Sequence, residues 1–166
     1  MQLEDQLENI ESEMQQAAET VDITKNAINE KNIALARAIA QMIVLDPEIL
    51  ETARMTKLAE ILSVEEVHVT DGDAVLIYGN VTGFYGFDFK TSEQTLPFVE
   101  LAKSRTGELA QEPSLRGTDN TLFQYIGVSR LDEAGVVQIG IEPTAVQELL
   151  SKLDIQRAQI FHGYKR

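Results

Sequence analysis

Residues 117–141 combine apolar side chains with amide, phenol and guanidinium groups, and they read GTDNTLFQYIGVSRLDEAGVVQIGI. Apolar residues alternate along both halves of this stretch, which predicts two strands joined by a tight turn. Four hydrogen-bonding side chains interrupt the apolar pattern, namely Gln124, Tyr125, Arg130 and Gln138. Amide, phenol and guanidinium groups are costly to bury without partners. The stretch therefore predicts either a solvated face or a site that binds a polar molecule.

The alternation along the first strand allows two interpretations, namely that one face is solvated or that one face lines a cavity. Odd-numbered residues from 123 to 129 share one face and even-numbered residues from 122 to 130 share the other, and both faces mix apolar and polar groups. A face lining a cavity would use those groups to orient a small ligand. If the strands follow one another regularly, Tyr78 and Arg116 point toward the same end of the sheet. We therefore predict a ligand pocket formed by Tyr78, Arg116, Tyr125 and Arg130, in which an arginine holds a small anion or carboxylate.

Catalytic and metal-binding arrangements are not indicated by the sequence. Cysteine is absent, which excludes thiolate metal sites, cysteine nucleophiles and thioether-linked haem. The two histidines, His68 and His162, lie on different predicted elements, and no carboxylate or serine is spaced to join them. Asp71 and Asp73 surround a predicted turn, where acidic residues are common. We expect no enzymatic activity, no metal site and no cofactor.

The composition limits the classes of partner. The 166 residues include 27 acidic and 14 basic side chains, which gives a net charge of −13. A nucleic-acid-binding protein needs a basic surface to neutralise phosphates, so this class of partner is not expected. No apolar run approaches the roughly 20 residues of a membrane span.

Residues 3–44 predict one long helix, because they contain neither glycine nor proline and consist mainly of helix-forming residues. Apolar residues recur in a heptad pattern, with one row that is apolar throughout: Leu7, Met14, Val21, Ile28, Leu35 and Met42. This row predicts a homodimer through the N-terminal helix. The neighbouring positions are acidic, so two parallel copies would repel, and we also expect contacts with the rest of the chain.

The remaining pattern predicts an α+β protein with a five-stranded antiparallel sheet and its helices on one side. Asp46 and Pro47 indicate the start of a second helix that ends near Leu62. A hairpin with an Asp71-Gly72 turn follows, then a short helix within residues 95–107. Residues 108–117, 120–130 and 135–142 predict three further strands. Pro143 begins a last helix, whose predicted buried residues are Val146, Leu149, Leu150 and Leu153.

The order of several short strings resembles a known family. The strings are VHVTD at 67–71, YGFDF at 85–89, PFVELA at 97–102, QEPSLRG at 111–117, FQYIGVSR at 123–130 and GVVQIGI at 135–141. With a long helix before them and another after them, they resemble the extracytoplasmic Cache (PAS-like) sensor domains of bacterial chemoreceptors and sensor kinases. The resemblance covers nearly the whole chain, and residues 64–142 carry its most specific part.

This resemblance implies a single sensor domain over residues 1–166, with a long helix at 1–45, a sensor core at 46–142 and a C-terminal helix at 143–166. It implies a ligand on the concave face of the sheet, at the extracytoplasmic side of the bacterial membrane, and attachment through transmembrane segments outside this chain. The stretch TSEQTLPFVELA lacks the arginine and paired aromatics that many amino-acid-binding relatives carry there. The alternative function is a PAS-like dimerisation module whose own side chains fill the cavity.

Overall fold

The computed structural model describes residues 2–117 and 119–163, except for the side chains of residues 160 and 161. Its described part forms two compact units, one within residues 1–28 and 143–166 and the other spanning Asn29–Glu142. The helices are α1 (Gln2–Leu45), α2 (Thr52–Leu62), α3 (Val99–Lys103) and α4 (Thr144–Gly163). The strands are β1 (Glu66–Thr70), β2 (Leu76–Gly79), β3 (Glu108–Ala110), β4 (Ser114–Leu115), β5 (Leu122–Ser129) and β6 (Val136–Ile141). The grouping into one domain stays a prediction.

The long N-terminal helix is confirmed, and within residues 29–45 the stripe buried in the core differs from the heptad row that predicts the homodimer seam. Within residues 29–45, the buried residues are Asn32, Ala36, Ile39, Ala40 and Ile43. Leu35 and Met42 from the heptad row are only partly buried at the edge of this core. Small alanines allow the helix backbone to lie close to the sheet, and the helix therefore turns this stripe inward.

The second helix is interrupted where one continuous helix was predicted. Residues Pro47–Leu50 form a 3-10 turn, and α2 begins only at Thr52 because Glu51 has an extended backbone with ψ of 134°. The Asp46 side chain makes no capping hydrogen bond and pairs instead with Arg54. The predicted end at Leu62 is confirmed, and Ser63 follows it with a left-handed backbone.

The antiparallel sheet is confirmed, but it has six strands where five were predicted, and five of them follow the order β2-β1-β6-β5-β3. One further short strand, β4, pairs with β5 outside this path. The single strand predicted over 108–117 is thus divided into β3 and β4. Pro113 lies between the two strands, and proline has no amide proton for a ladder hydrogen bond.

The turn between β1 and β2 is longer than the predicted Asp71-Gly72 pair. The Asp71 amide donates to the Val75 carbonyl (2.9 Å), and the Asp71 carboxylate accepts from the amides of Asp73 (2.9 Å) and Val75 (3.0 Å). Ala74 has a positive φ of 60° inside this loop. The predicted hairpin is therefore present, but the Asp71 side chain closes a wider turn.

Both faces of the sheet are covered, which corrects the prediction of helices on one side. One face packs against α1 and α2 through strand residues such as Val67, Ile126 and Val137. The opposite face carries Val136 and packs against α3 and the 3-10 turns that precede it. Gly127 of β5 lies on this second face, where an added β-carbon would stand 2.6 Å from the Phe98 ring.

The other unit combines the first part of α1 with α4. Val21 and Val146 are buried in it, and a groove of about 530 Å³ runs along the two helices. The predicted stripe of α4 is only partly buried, because Leu150 is 43% exposed. Within the described residues, no helix has the length and apolar character required to cross a membrane.

Candidate functional site

A cavity of about 320 Å³ lies on the face of the sheet that α3 and the short turns cover. Strand residues form its floor and residues 84–95 form its roof, while the segment between β4 and β5 closes one side. The lining residues are Glu66, His68, Leu76, Phe84, Phe87, Phe89, Ser92, Gln94, Thr95, Arg116, Gly117, Tyr125 and Gln138.

The floor is polar because three adjacent strands direct polar side chains to the same face. Glu66 and His68 are two residues apart on β1, so both point the same way. His68 pairs with Gln138 of β6, and Tyr125 of β5 pairs with Gly140 of β6. A β-carbon at Gly140 would stand 2.8 Å from the Tyr125 ring. Glycine at this position therefore leaves room for the Tyr125 ring to lie across β6 toward Glu66.

Glu66 is the centre of a buried hydrogen-bond network. Its Oε2 atom accepts from the Tyr125 hydroxyl (3.1 Å) and contacts His68 Nε2 (2.8 Å), while its Oε1 atom pairs with the Arg116 guanidinium. Burial alone would raise the pKa of Glu66, but the His68 hydrogen bond, the Arg116 charge and the Tyr125 hydroxyl together lower it. The carboxylate therefore stays ionised inside the cavity wall. Burial and the Glu66 charge raise the pKa of Tyr125, so its hydroxyl keeps its proton.

Arg116 is held by two carboxylates and one aromatic ring. Its Nε and Nη2 atoms donate to the two oxygens of Asp119 at 2.9 and 2.6 Å, and a third nitrogen reaches Glu66. The guanidinium carbon lies 4.1 Å from the centre of the Phe123 ring. The hydrogen bond with Asp119 raises the pKa of Arg116 and lowers that of Asp119. The guanidinium charge is thus balanced within the chain.

Two polar atoms of the floor have no hydrogen-bond partner among the described residues. These atoms are His68 Nδ1 and Gln138 Nε2, and both residues are at least 97% buried. A carboxylate only accepts, so His68 Nε2 carries the hydrogen that it shares with Glu66. In the neutral ring, Nδ1 is then an acceptor without a donor. Unsatisfied buried groups of this kind call for an explanation, and a molecule in the cavity would supply partners.

The roof consists of three phenylalanines on the segment that follows β2. Phe84 meets the edge of the His68 ring at 5.7 Å between centroids. Tyr85 fixes this segment, since its hydroxyl accepts from the Gly79 amide (3.2 Å), donates to the Gly79 carbonyl (2.8 Å) and lies 2.8 Å from the Thr52 hydroxyl. The roof is therefore attached to both the edge strand and α2.

The structure brings two of the four predicted pocket residues together. Arg116 and Tyr125 both line the cavity and both contact Glu66. Whether they bind a ligand stays a prediction.

Tyr78 lies on the other face of the sheet. A register shift leaves Ile77 without a partner in β1, so Leu76 pairs with Thr70 while Tyr78 pairs with Val69. The extra residue turns Tyr78 away from the cavity, contrary to the prediction that it contributes to the pocket.

Arg130 lies in the turn after β5, beyond the cavity. Its side chain is 1% exposed and donates to the Thr70 carbonyl (2.8 Å) and to both oxygens of Asp132 (3.0 and 2.7 Å). Burial is expected to raise the pKa of Asp132, but the Arg130 contact lowers it overall. Arg130 therefore closes the β5–β6 turn, which corrects the prediction that it shares a pocket with Tyr125.

Sequence reasoning missed the residues that form most of the floor and the roof. Glu66, His68 and Thr70 alternate with Val67 and Val69 along β1, so the strand has a polar face as well as an apolar one. The alternation of polar and apolar residues along β1 was the sequence signal that could have located the floor of the cavity. It matters because β1 is buried on both sides, so its polar side chains face the protein interior. Within residues 2–117 and 119–163, no three His, Asp or Glu side chains converge as metal ligands.

Comparisons with known proteins relate the chain to sensor domains through structure alone. No family model matches the sequence, and the curated proteins contain no significant match. The sensor domain of the Vibrio cholerae histidine kinase DctB superimposes with a TM-score of 0.62 at 13% identity, covering 83% of this chain and 58% of that domain.

Two chemoreceptor domains give similar agreement. The ligand-binding domain of Campylobacter jejuni Tlp3 in complex with 4-methylisoleucine has a TM-score of 0.59 at 15% identity, covering 90% of this chain and 63% of that one. The ligand-binding domain of Mlp24 with asparagine has a TM-score of 0.56 at 22% identity, covering 86% and 62%.

The chain thus spans about three-fifths of the length of each of these structures. At these identities the agreement concerns the fold. The resemblance to Cache domains is confirmed at that level: the chain has the fold of the sensor domains of bacterial chemoreceptors and histidine kinases.

Proposed function

We propose that this chain is an extracytoplasmic sensor domain of a transmembrane receptor and that it binds a small molecule in the cavity floored by Glu66, His68 and Gln138. The observation that carries the proposal is a pair of cavity-lining residues, His68 and Gln138, whose buried Nδ1 and Nε2 atoms have no hydrogen-bond partner among the described residues. A volume of about 320 Å³ suits a ligand of roughly amino-acid size. The likeness to ligand-binding domains of chemoreceptors supports the same function.

Strand β1 offers a route from the cavity to the long helix. Glu66 and His68 face the cavity, and the intervening Val67 faces the core that contains Ile39 of α1. A ligand that prefers one position of β1 would therefore favour one position of residues 29–45 of the helix. This coupling is the proposed signal, and α1 and α4 would continue toward membrane-spanning segments outside this chain.

A homodimer through the N-terminal helix is part of the proposal. Ile28 of the predicted seam is half-buried, and Leu3, Leu7 and Ile23 are exposed. Ile28→Lys would place a charge in the seam and should shift the protein toward monomer in sedimentation experiments, whereas Asn26→Lys adds the same charge at an exposed position and should not. Equal association of the two variants would count against this seam.

The ligand site is tested by a thermal-shift screen of small carboxylates, amines and purines on the wild-type protein and on Gln138→Leu. Gln138→Leu removes an amide whose nitrogen has no partner among the described residues, so the stability of the protein should stay the same or rise. For any ligand that stabilises the wild type, the affinity of the variant should be lower by about tenfold or more. Gln147→Leu on α4 is the matched control, because Gln147 is exposed.

A compound that stabilises wild type and both variants equally would place binding elsewhere. The absence of stabilisation across the whole screen would favour the alternative function, a dimerisation module without its own ligand.

A further inference from the structure

The charge balance around the cavity bears on the class of ligand. We propose that the cavity selects a small molecule with a protonated amine and rejects carboxylates, and that Asp119 sets this selectivity by occupying Arg116. The inference rests on the proposed function and adds the ligand class to it. The sequence alone predicted the opposite, an anion held by an arginine.

Asp119 makes a bidentate contact with Arg116. A ligand carboxylate would dock on the edge formed by Nε and Nη2. Both atoms already donate to Asp119, at 2.9 and 2.6 Å, and Nη1 donates to Glu66. Three of the five guanidinium N–H groups, including those of the bidentate edge, are thus in use, so an incoming carboxylate can form a bidentate pair on that edge only by displacing Asp119 and then gains no net ion pair.

The fixed charges of the site are unequal. Apart from His68, the charged residues that line the cavity are Glu66 and Arg116. Asp119 adds a second negative charge beside the guanidinium. The formal sum of Glu66, Arg116 and Asp119 is −1, which attracts a cation and repels an anion in a region of reduced dielectric.

The hydrogen-bonding character of the floor also bears on the head group of the ligand. His68 Nδ1 is an acceptor in the neutral ring, and the Gln138 amide can turn its oxygen to the cavity. An ammonium group has three donors and no acceptor, so it can donate to His68 Nδ1 and to the Gln138 oxygen, but it cannot pair with the Gln138 Nε2 donor. A carboxylate offers only acceptors and would leave His68 Nδ1 unpaired. The phenylalanines of the roof present aromatic rings suited to an organic cation.

The test uses probes that share a body and differ in head group. Phenethylamine, 2-phenylethanol and 3-phenylpropionate form one set, and isobutylamine, isobutanol and isobutyrate form a smaller set. Binding is measured by isothermal titration calorimetry and ligand-observed NMR at neutral pH. We expect the amine of at least one set to bind about tenfold or more tightly than its carboxylate, with the alcohol between them.

Asp119→Asn keeps the shape of the side chain and removes its charge. The variant should reduce the ratio of amine affinity to carboxylate affinity at least fivefold or reverse the preference, because Arg116 becomes available to the carboxylate. Glu60→Gln is the matched control, since it removes one negative charge from exposed α2 on the other face of the sheet. In this control the affinity ratio should stay within a factor of two of the wild-type value.

The outcomes separate the two levels of the proposal. Carboxylates that bind the wild type more tightly than the amines would overturn the ligand class and leave the sensor function standing. A ratio that is unchanged in Asp119→Asn would overturn the role of Asp119. If no probe of either set binds and the wider screen also finds no ligand, both the inference and the proposed function fail.

Discussion

Glu66→Gln tests whether the buried network holds the sheet and its cavity together. The substitution keeps the size of the side chain and removes the charge that pairs with Arg116. Glu66 is 5% exposed, so little solvent screens this pair from the Glu66 side. We expect the variant to fold and to be less stable than the wild type at neutral pH.

The magnitude follows from the three contacts of the Glu66 carboxylate. Removing one partner of a buried pair costs about 3–5 kcal/mol when the other charge is left alone. Arg116 keeps Asp119 and is 18% exposed, which reduces this cost. The amide oxygen of glutamine can still accept from Arg116, and the Tyr125 hydroxyl can turn to accept from the new amide. The expected loss is therefore about 2–3 kcal/mol, or roughly 4–12 °C in Tm for a chain of this length.

The stability difference between wild type and Glu66→Gln should depend on pH, and the pKa of Glu66 gives the direction of this dependence. The pKa of Glu66 in the folded protein lies below its ordinary value of 4.5. The ionised carboxylate therefore stabilises the fold fully above about pH 4.5, and this contribution disappears as the pH falls through the lower, folded-state pKa. The difference between wild type and Glu66→Gln should be largest near pH 7 and should shrink in acid.

Urea unfolding at several pH values between 7 and 3, followed by circular dichroism, measures this difference. Glu65→Gln is the matched control, because Glu65 is exposed and its oxygen accepts only a backbone amide, that of Glu142 (3.0 Å). We expect this control to lose no more than about 0.5 kcal/mol. A Glu66→Gln variant that is as stable as the control at pH 7, or a difference that stays constant into acid, would contradict the stabilising role of the ionised Glu66 carboxylate.

Other substitutions probe the turn, the roof and the packing of the sheet. Arg130→Met should lower the free energy of unfolding by about 2–4 kcal/mol in urea titrations without altering ligand binding, because it removes a buried charge pair at the β5–β6 turn and Arg130 is not among the residues that line the cavity; weakened binding with unchanged stability would contradict this. Tyr85→Phe should cost about 1–2 kcal/mol and speed amide exchange in the roof segment, because Gly79 loses the hydroxyl that bonds its backbone; unchanged exchange would show that the hydroxyl does not fix the roof. Gly127→Ala should lower Tm by several degrees, because its β-carbon would stand 2.6 Å from the Phe98 ring; a Tm equal to that of wild type would mean that the ring shifts freely.

Elements with local sequence signals could be predicted from the amino-acid sequence alone. Helix α1 could be placed almost to the residue, because 42 consecutive positions from 3 to 44 lack glycine and proline. Strands β5 and β6 were predictable because their apolar residues alternate, and the pairing of the two follows from the short connection between them. The order of these elements was sufficient for the resemblance to Cache domains, which the structural comparisons confirm for the fold.

The tertiary structure decided which of two apolar stripes of α1 is buried. The row with Leu35 and the stripe with Ile39 are both apolar, so periodicity alone allows either. The surface of the sheet favours Ala36, Ile39 and Ala40, since small side chains permit close contact.

The tertiary structure also decided which polar residues meet. Arg130 pairs with Asp132, which is two positions away in the sequence, as a local pattern suggests. Arg116 pairs with Glu66, which is 50 positions away, because the order of strands in the sheet brings the two residues together. A single unpaired residue, Ile77, moves Tyr78 to the opposite face, and no sequence pattern here signals that shift. Side-chain direction in a sheet depends on register, and register is set by the contacts of the whole fold, so the site could be named from the sequence only in part.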